Sequence, residues 1–179
     1  RIILIPLIIA IFYAPDEWLS FSGKNMTATA IFIFAAVTDW LDGYLARKLN
    51  QMSAFGAFLD PVADKLIVVG ALLVLLYLRR VEMLVALIIV GREIAISALR
   101  EWMAKVGQAK SVAVAFIGKL KTLSQMIAIP LLLLDNDNLL GLVDCSVLGT
   151  ILINVAAVLT VVSMLYYLRK ALPYASARG

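Results

Sequence analysis

Histidine is absent from this 179-residue chain, and cysteine occurs only once, as Cys145. The absence of histidine excludes Ser-His-Asp triads, Cys-His pairs and metal sites with imidazole ligands. A single cysteine can form neither an intrachain disulfide nor a Cys-rich zinc site, so we expect Cys145 to be a small packed residue. A general base in this chain would therefore be a carboxylate or, less readily, a lysine or tyrosine.

Charged residues are also scarce, at 16% of the chain, whereas 63% of the residues are hydrophobic and the mean hydropathy is +0.98. This hydrophobic fraction lies far above that of ordinary soluble domains. Several apolar runs approach the roughly 20 residues that cross a hydrocarbon core of about 30 Å. We therefore expect an integral membrane protein with one domain, residues 1–179, and short connections between its helices.

The apolar runs predict an all-α, polytopic fold with six transmembrane helices, at residues 1–13, 26–49, 60–78, 83–103, 112–134 and 148–168. The third helix is predicted to begin with Asp60 as the N-cap and Pro61 at the first helical position. The chain starts at Arg1 rather than at a methionine, and its first apolar run is short. We therefore expect further residues to precede Arg1.

The lysines and arginines punctuate the apolar runs and form no basic domain with interleaved aromatic residues, which argues against nucleic-acid binding. Most of them fall in connections on one side of the predicted bundle, whereas Lys24, Arg79 and Arg80 fall on the other side. The positive-inside rule therefore predicts a multi-pass protein of the cytoplasmic membrane with both termini in the cytoplasm.

Aspartates within membrane helices are energetically costly, and they usually face a polar cavity or a cation. Four occur within or beside the predicted second and third helices: Asp39, Asp42, Asp60 and Asp64. If these two helices pack as neighbours, the four carboxylates converge near the cytoplasmic end of the bundle. Their mutual repulsion then predicts bound divalent cations, and a set of ligands made only of oxygen suits Mg²⁺ or Mn²⁺.

Small and basic residues share one face of the second helix with the first two aspartates. The positions i, i+3, i+4, i+7 and i+8 are occupied by Asp39, Asp42, Gly43, Ala46 and Arg47. Simpler explanations exist for each feature. Asp60 could be only a helix cap, Asp39 and Asp42 could pair with Lys65 or Arg47, and the glycines could merely allow close helix packing.

Two other classes of protein also have to be considered. A cation channel or transporter would explain the intramembrane aspartates, but not the small residues and arginine at fixed intervals from them. A purely structural membrane subunit would tolerate replacement of all four aspartates by asparagine.

The residues from Asp39 to Asp64, with Gly56 between them, follow the pattern D-x-x-D-G-x-x-A-R-x8-G-x-x-x-D-x-x-x-D. This pattern resembles the signature of the CDP-alcohol phosphatidyltransferase family. Further segments resemble the bacterial phosphatidylglycerophosphate synthase subfamily, at residues 91–94, 97–103, 111–114 and 118–122.

The resemblance implies transfer of a phosphatidyl group from CDP-diacylglycerol to an alcohol, with release of CMP. In this subfamily the alcohol is sn-glycerol 3-phosphate, while inositol phosphate, serine and other alcohols are the alternatives within the family. The resemblance also implies a homodimer, and a CDP head group that reaches a cytoplasmic cavity while the acyl chains remain among the membrane lipids.

Site residues follow from the same resemblance. Asp39, Asp42, Asp60 and Asp64 would bind two metal ions, and Asp64 would also take the proton of the attacking hydroxyl. The CDP group would be bound by Asp42, Gly43, Ala46, Arg47 and Gly56. The candidates for holding the phosphate of the acceptor are Arg92, Arg100, Lys110, Lys119 and Lys121, although such residues commonly only face anionic lipid head groups.

Overall fold

The computed structural model describes residues 2–49, 54–107, 116–136 and 144–176, and these residues form helices without any strand. The helices are α1 (Leu4–Tyr13), α2 (Phe21–Leu49), α3 (Ala54–Tyr77), α4 (Met83–Lys105), α5 (Phe116–Leu134) and α6 (Cys145–Ser176). The predicted all-α fold is confirmed, and each helix overlaps one of the six predicted from the apolar runs. Cys145 is buried, as expected for a small packed residue.

The start of α3 differs from the prediction. The helix begins at Ala54, so Asp60 is not its N-cap and Pro61 lies inside the helix. Proline cannot donate a hydrogen bond to the preceding turn, but a helix among other helices tolerates this loss. Asp60 and Asp64 therefore lie on consecutive turns within α3, and the spacing that the signature requires is preserved.

The start of α2 also differs, because the helix begins at Phe21 rather than Met26. Lys24, which the sequence had assigned to a connection, lies in the first turns of α2 and is buried. Its Nζ atom donates hydrogen bonds to the carbonyl oxygen of Ala14, at 2.6 Å, and to the Asp16 carboxylate, at 2.7 Å. These partners stabilise a buried cation that hydropathy alone places outside a helix.

Other boundaries shift by smaller amounts. Helix α1 starts at Leu4 and α4 continues to Lys105, while α6 is longer than predicted at both ends. Residues 112–115, predicted as the start of the fifth helix, lie outside the described residues. Apolar sequence on both sides of a helix end hides the boundary, since hydropathy does not change there.

Helix α5 packs extensively against α6 and also against α2. Helices α5 and α6 approach closely at Gly149. A Cβ atom on this residue would lie only 2.7 Å from Cγ of Leu132, so the approach requires glycine. Helix α1 packs on both α2 and α3, and α4 packs on α6. Over the residues described on both, α2 and α3 make no extensive contact, so the direct packing that was the condition for convergence of the four carboxylates is not seen in this part of the chain.

Within the described residues, two helices are long and apolar enough to cross a membrane, α5 over Ile117–Leu134 and α6 over Cys145–Tyr174. Large apolar side chains also cover the outward faces of other helices, including Phe34, Leu73 and Leu87. The bundle therefore presents hydrocarbon to its surroundings on several sides.

Arg80, in the turn between α3 and α4, caps the end of α5. Its Nη1 atom donates hydrogen bonds to the carbonyl oxygens of Leu132, at 3.1 Å, and Leu133, at 2.9 Å. Its Nη2 atom forms an ion pair with Asp135 at 2.8 Å. Burial lowers the pKa of Arg80, and Asp135 opposes this shift. Because arginine is ordinarily protonated far above neutral pH, the guanidinium stays charged. The last carbonyls of α5, which have no partner within their own helix, are thereby satisfied.

We expect Arg80→Met to lower the free energy of unfolding by about 1–3 kcal/mol, because two carbonyl oxygens lose buried donors. Reversible unfolding in mixed detergent micelles would measure the change. Arg79→Met is the matched control, since the Arg79 side chain is exposed and its replacement should stay within about 0.5 kcal/mol of the parent. Equal losses in the two variants would contradict the capping role.

Candidate active site

A cavity of about 520 Å³ lies among α2, α3, α4 and α5. Its walls are partly apolar, with Phe32, Ile67 and Met126 among the lining residues. Neutral polar side chains also face it, from Ser97, Thr122 and Gln125. The charged residues that line it are Asp39, Asp64, Lys65, Arg92, Glu93, Arg100 and Lys121. Charged residues are costly inside an apolar bundle, so their collection around one cavity indicates a binding site.

Two of the signature aspartates face this cavity from different helices, Asp39 from α2 and Asp64 from α3. Asp42 and Asp60 are exposed and do not line it. Each of them is one helical turn from its partner in the cavity. Among the described residues, no three carboxylates lie close enough together to hold one metal ion. The structure thus brings together two of the four predicted ligands, and their oxygen donors are of the type that a hard divalent cation prefers.

The residues predicted to bind CDP are only partly described. Helix α2 continues unbroken to Leu49, so the backbone keeps Gly43, Ala46 and Arg47 on the face that carries Asp39. The side chains of Ala46 and Arg47, and the surroundings of Gly43, lie outside the described part of the structure. Gly56 lies in the first turn of α3 and is half-buried.

A partly buried ion cluster joins α4 to α5. The Glu93 carboxylate accepts a hydrogen bond from Nζ of Lys121 and forms an ion pair with Nη1 of Arg92 at 3.4 Å. Lys121 is 3% exposed and Arg92 is 7% exposed. Arg100 lies two turns after Arg92 on the same face of α4, close enough to both cations to repel them. We call Arg92, Glu93, Arg100 and Lys121 the basic cluster.

The basic cluster has unused capacity to bind an anion. It holds three cations and one carboxylate, and buried charge without a counter-charge is unfavourable. In addition, the buried Nε atoms of Arg92 and Arg100 have no hydrogen-bond partner among the described residues. A ligand with two negative charges and several acceptor oxygens, such as a phosphate monoester, would satisfy both the charge and the donors.

The five predicted phosphate-binding residues divide into three groups. Arg92, Arg100 and Lys121 line the cavity. Lys119 is exposed and does not line it, because two residues along a helix correspond to more than half a turn. Lys110 lies outside the described residues.

The sequence assigned no role to three of the residues here, one that belongs to the basic cluster and two that support it from α6. Glu93 is one, and it could have been found as the carboxylate next to Arg92 in a predicted membrane helix. The others are on α6, where Ser163 Oγ accepts a hydrogen bond from Nη2 of Arg92 at 3.0 Å and the Tyr167 ring contacts two arginines. A serine and a tyrosine in an apolar helix carry no comparable sequence signal.

Comparison with known proteins agrees with the signature. The family description "CDP-alcohol phosphatidyltransferase" matches residues 1–162. The chain is 46% identical over 173 residues to the CDP-diacylglycerol–glycerol-3-phosphate 3-phosphatidyltransferase of Haemophilus influenzae, covering 96% of this chain and 88% of that protein. It is 48% identical over 173 residues to the protein of the same name from Escherichia coli K12, covering 96% and 90%. No solved structure matches the chain. The chain belongs to the CDP-alcohol phosphatidyltransferase family.

Proposed function

We propose that this protein transfers the phosphatidyl group of CDP-diacylglycerol to sn-glycerol 3-phosphate, giving phosphatidylglycerophosphate and CMP. The observation that carries the proposal is one cavity lined both by signature aspartates, Asp39 and Asp64, and by the basic cluster. The first group suits the nucleotide diphosphate with its metal ions, and the second suits a separate phosphate on the acceptor. The names of the relatives support the same pair of substrates.

Asp39, Asp42, Asp60 and Asp64 are proposed to hold two divalent cations, Mg²⁺ or Mn²⁺. When bound, such ions neutralise a pyrophosphate and stabilise the phosphate of a departing CMP. The protein positions these carboxylates on two helices, with the members of each pair one turn apart. Gly43, Ala46 and Gly56 lack bulk, so a nucleotide could approach the backbone there, and Arg47 could offer a planar fork to a phosphate.

Asp64 is proposed as the general base, since it lines the cavity and histidine is absent. The hydroxyl oxygen of the acceptor forms a bond to the phosphorus atom that carries the diacylglycerol group. The bond from this phosphorus to the bridging oxygen of CMP breaks, and the hydroxyl proton passes to a carboxylate oxygen of Asp64. Positioning and charge neutralisation would supply most of the rate enhancement, as in other phosphoryl transfers.

The basic cluster is proposed to hold the phosphate of the acceptor. Its charge and its unpaired Nε donors favour an acceptor that brings a phosphate, and therefore disfavour serine. Inositol phosphate also carries a phosphate, so it stays an alternative acceptor. A cation pathway is disfavoured, because the clustered cations would repel an ion that crosses the cavity.

All six helices of this single domain, residues 1–179, are proposed to lie in the cytoplasmic membrane, with both termini and the active site on the cytoplasmic side. The outward apolar side chains and the two membrane-length helices support this placement. The apolar part of the cavity lining suits a lipid substrate whose acyl chains remain among the membrane lipids. A homodimer is proposed from the family resemblance alone.

The direct test offers labelled CDP-diacylglycerol and one alcohol at a time to protein purified in detergent. We expect CMP release and a phosphatidylglycerophosphate product with glycerol 3-phosphate, and little reaction with serine or inositol phosphate. Faster reaction with another alcohol would overturn the acceptor assignment. Ion flux in liposomes without CMP production would favour a transporter.

The roles of the aspartates separate if metal binding and chemistry are measured on the same sample. Asp64→Asn keeps an oxygen ligand but loses the base, so single-turnover CMP release should fall at least about 10²-fold while Mn²⁺ still binds. Asp39→Asn should lower both Mn²⁺ occupancy and turnover. Glu17→Gln, an exposed carboxylate distant in sequence from the signature, is the control and should change neither quantity. Unimpaired release by Asp64→Asn with ions bound would remove its role as base.

The acceptor site predicts different effects for two lysines of α5. Lys121→Met removes a buried charge from the cavity, so the KM for glycerol 3-phosphate should rise about 10-fold or more, as expected for a charge-assisted hydrogen bond. The KM for CDP-diacylglycerol should change little. Lys119→Met alters an exposed residue on the same helix and should leave both constants near those of the parent. Equal effects of the two changes would assign both lysines to lipid head groups.

A further inference from the structure

None of the described side chains of α6 lines the cavity, yet this helix lies directly behind the basic cluster. Nη2 of Arg92 donates a hydrogen bond to Ser163 Oγ at 3.0 Å, and Ser163 Oγ in turn donates to the carbonyl oxygen of Thr160 at 2.9 Å. Both Ser163 and Thr160 are fully buried. This chain of hydrogen bonds orients one end of the Arg92 guanidinium towards α6 and away from the cavity.

The Tyr167 ring contacts both arginines of the basic cluster. The Cζ atom of Arg92 lies 5.8 Å from the ring centroid, and that of Arg100 lies 5.5 Å from it. Both distances are within the roughly 6 Å over which a cation is attracted to the face of an aromatic ring. One buried ring therefore stabilises two guanidinium groups that repel each other.

The spacing on both helices explains how these contacts form. Arg92, Ile96 and Arg100 are at i, i+4 and i+8, so they share one face of α4. Ser163 and Tyr167 are at i and i+4 on α6, which packs against α4. Tyr167 also packs in an apolar cluster with Ile96, Met103 and Ala171, and this packing fixes the position of the ring.

We propose that Tyr167 and Ser163 are positioning residues that hold Arg92 and Arg100 ready for the phosphate of the acceptor. The proposal rests on the proposed function of the basic cluster. With Nη2 of Arg92 held by Ser163 and both guanidinium groups held by the ring, their unpaired Nε donors are kept in place before a substrate binds. Preorganised donors lose less conformational freedom on binding, which lowers the KM for the acceptor. Both residues follow the last residue of the family match, so the match does not assign them.

A ring that only fills space would have different consequences. Loss of packing alone would lower stability and impair both substrates together. Loss of the positioning contacts would selectively weaken use of the acceptor, because CDP-diacylglycerol is assigned to the aspartate end of the cavity. Tyr166 supplies a control for packing, since its ring packs edge-on against that of Tyr167, with the centroids 5.6 Å apart, while its own cation contact is with Lys170, at 4.8 Å, outside the cluster.

The test compares the KM for each substrate in Tyr167→Leu, Tyr167→Phe, Ser163→Ala and Tyr166→Leu. Tyr167→Leu should raise the KM for glycerol 3-phosphate about tenfold and change the KM for CDP-diacylglycerol less than about twofold. Tyr167→Phe keeps the ring, so its KM for glycerol 3-phosphate should stay near that of the parent. Ser163→Ala should raise the acceptor KM about threefold, and this variant keeps the proposal testable if Tyr167→Leu does not fold. Tyr166→Leu removes a packing contact of Tyr167 but keeps the Tyr167 ring, so the ratio of the two KM values should stay near that of the parent.

The outcomes distinguish this proposal from the proposed function. If the parent protein does not use glycerol 3-phosphate, the proposed function fails. If the parent uses it but the acceptor KM is unchanged in Tyr167→Leu and Ser163→Ala, or both substrates are affected equally, only the positioning role is overturned. Stabilisation of the protein by glycerol 3-phosphate against thermal unfolding gives a second readout, and this stabilisation should be smaller in Tyr167→Leu than in Tyr166→Leu.

Discussion

The burial of Arg92 and Lys121 beside one carboxylate, between α4 and α5, with the half-buried Arg100 close by, is the constraint on which the cavity depends. An unpaired buried charge is strongly destabilising, so Glu93 must pair with both Lys121 and Arg92. This pairing leaves some hydrogen-bond donors unused, because the Nε atoms of Arg92 and Arg100 have no partner among the described residues. A phosphate dianion would complete the arrangement, and the low dielectric of an apolar bundle would strengthen its binding.

The two proposed substrates are anionic, and the distribution of charge around the cavity suits their simultaneous binding. Carboxylates on α2 and α3 would draw metal ions to the diphosphate, while the cations of α4 and α5 would hold the phosphate of the acceptor. The hydroxyl between them would then be presented to Asp64. The limited contact between α2 and α3 fits this arrangement, since direct packing of these helices along their length would leave less space for the nucleotide.

The sequence predicted the all-α fold and the helical spacing of the aspartates, because both depend on local periodicity. It could not predict which faces meet. Lys119 and Lys121 are the same residue type in the same stretch of sequence, so hydropathy does not distinguish them. Only the packing of α5 on its neighbours decides that Lys121 faces the cavity. The early start of α3 was missed because a proline usually marks the beginning of a helix. The proposed role of Tyr167 was missed because it depends on contacts between α4 and α6, which local sequence does not reveal.

Polar contacts hold α5 at both ends, and this explains how a membrane bundle can keep a cavity in a defined shape. Near its start, Lys121 pairs with Glu93 of α4, and at its end the carbonyls of Leu132 and Leu133 accept hydrogen bonds from Arg80. Lipid tails are as apolar as leucine, so hydrophobic burial gives little preference for one helix arrangement over another. Close packing of α6 at Gly149 and these directional contacts must therefore fix the position of α5. The same argument applies to α4, whose arginines are held by Ser163 and Tyr167, and so directional contacts help to fix the walls of the cavity.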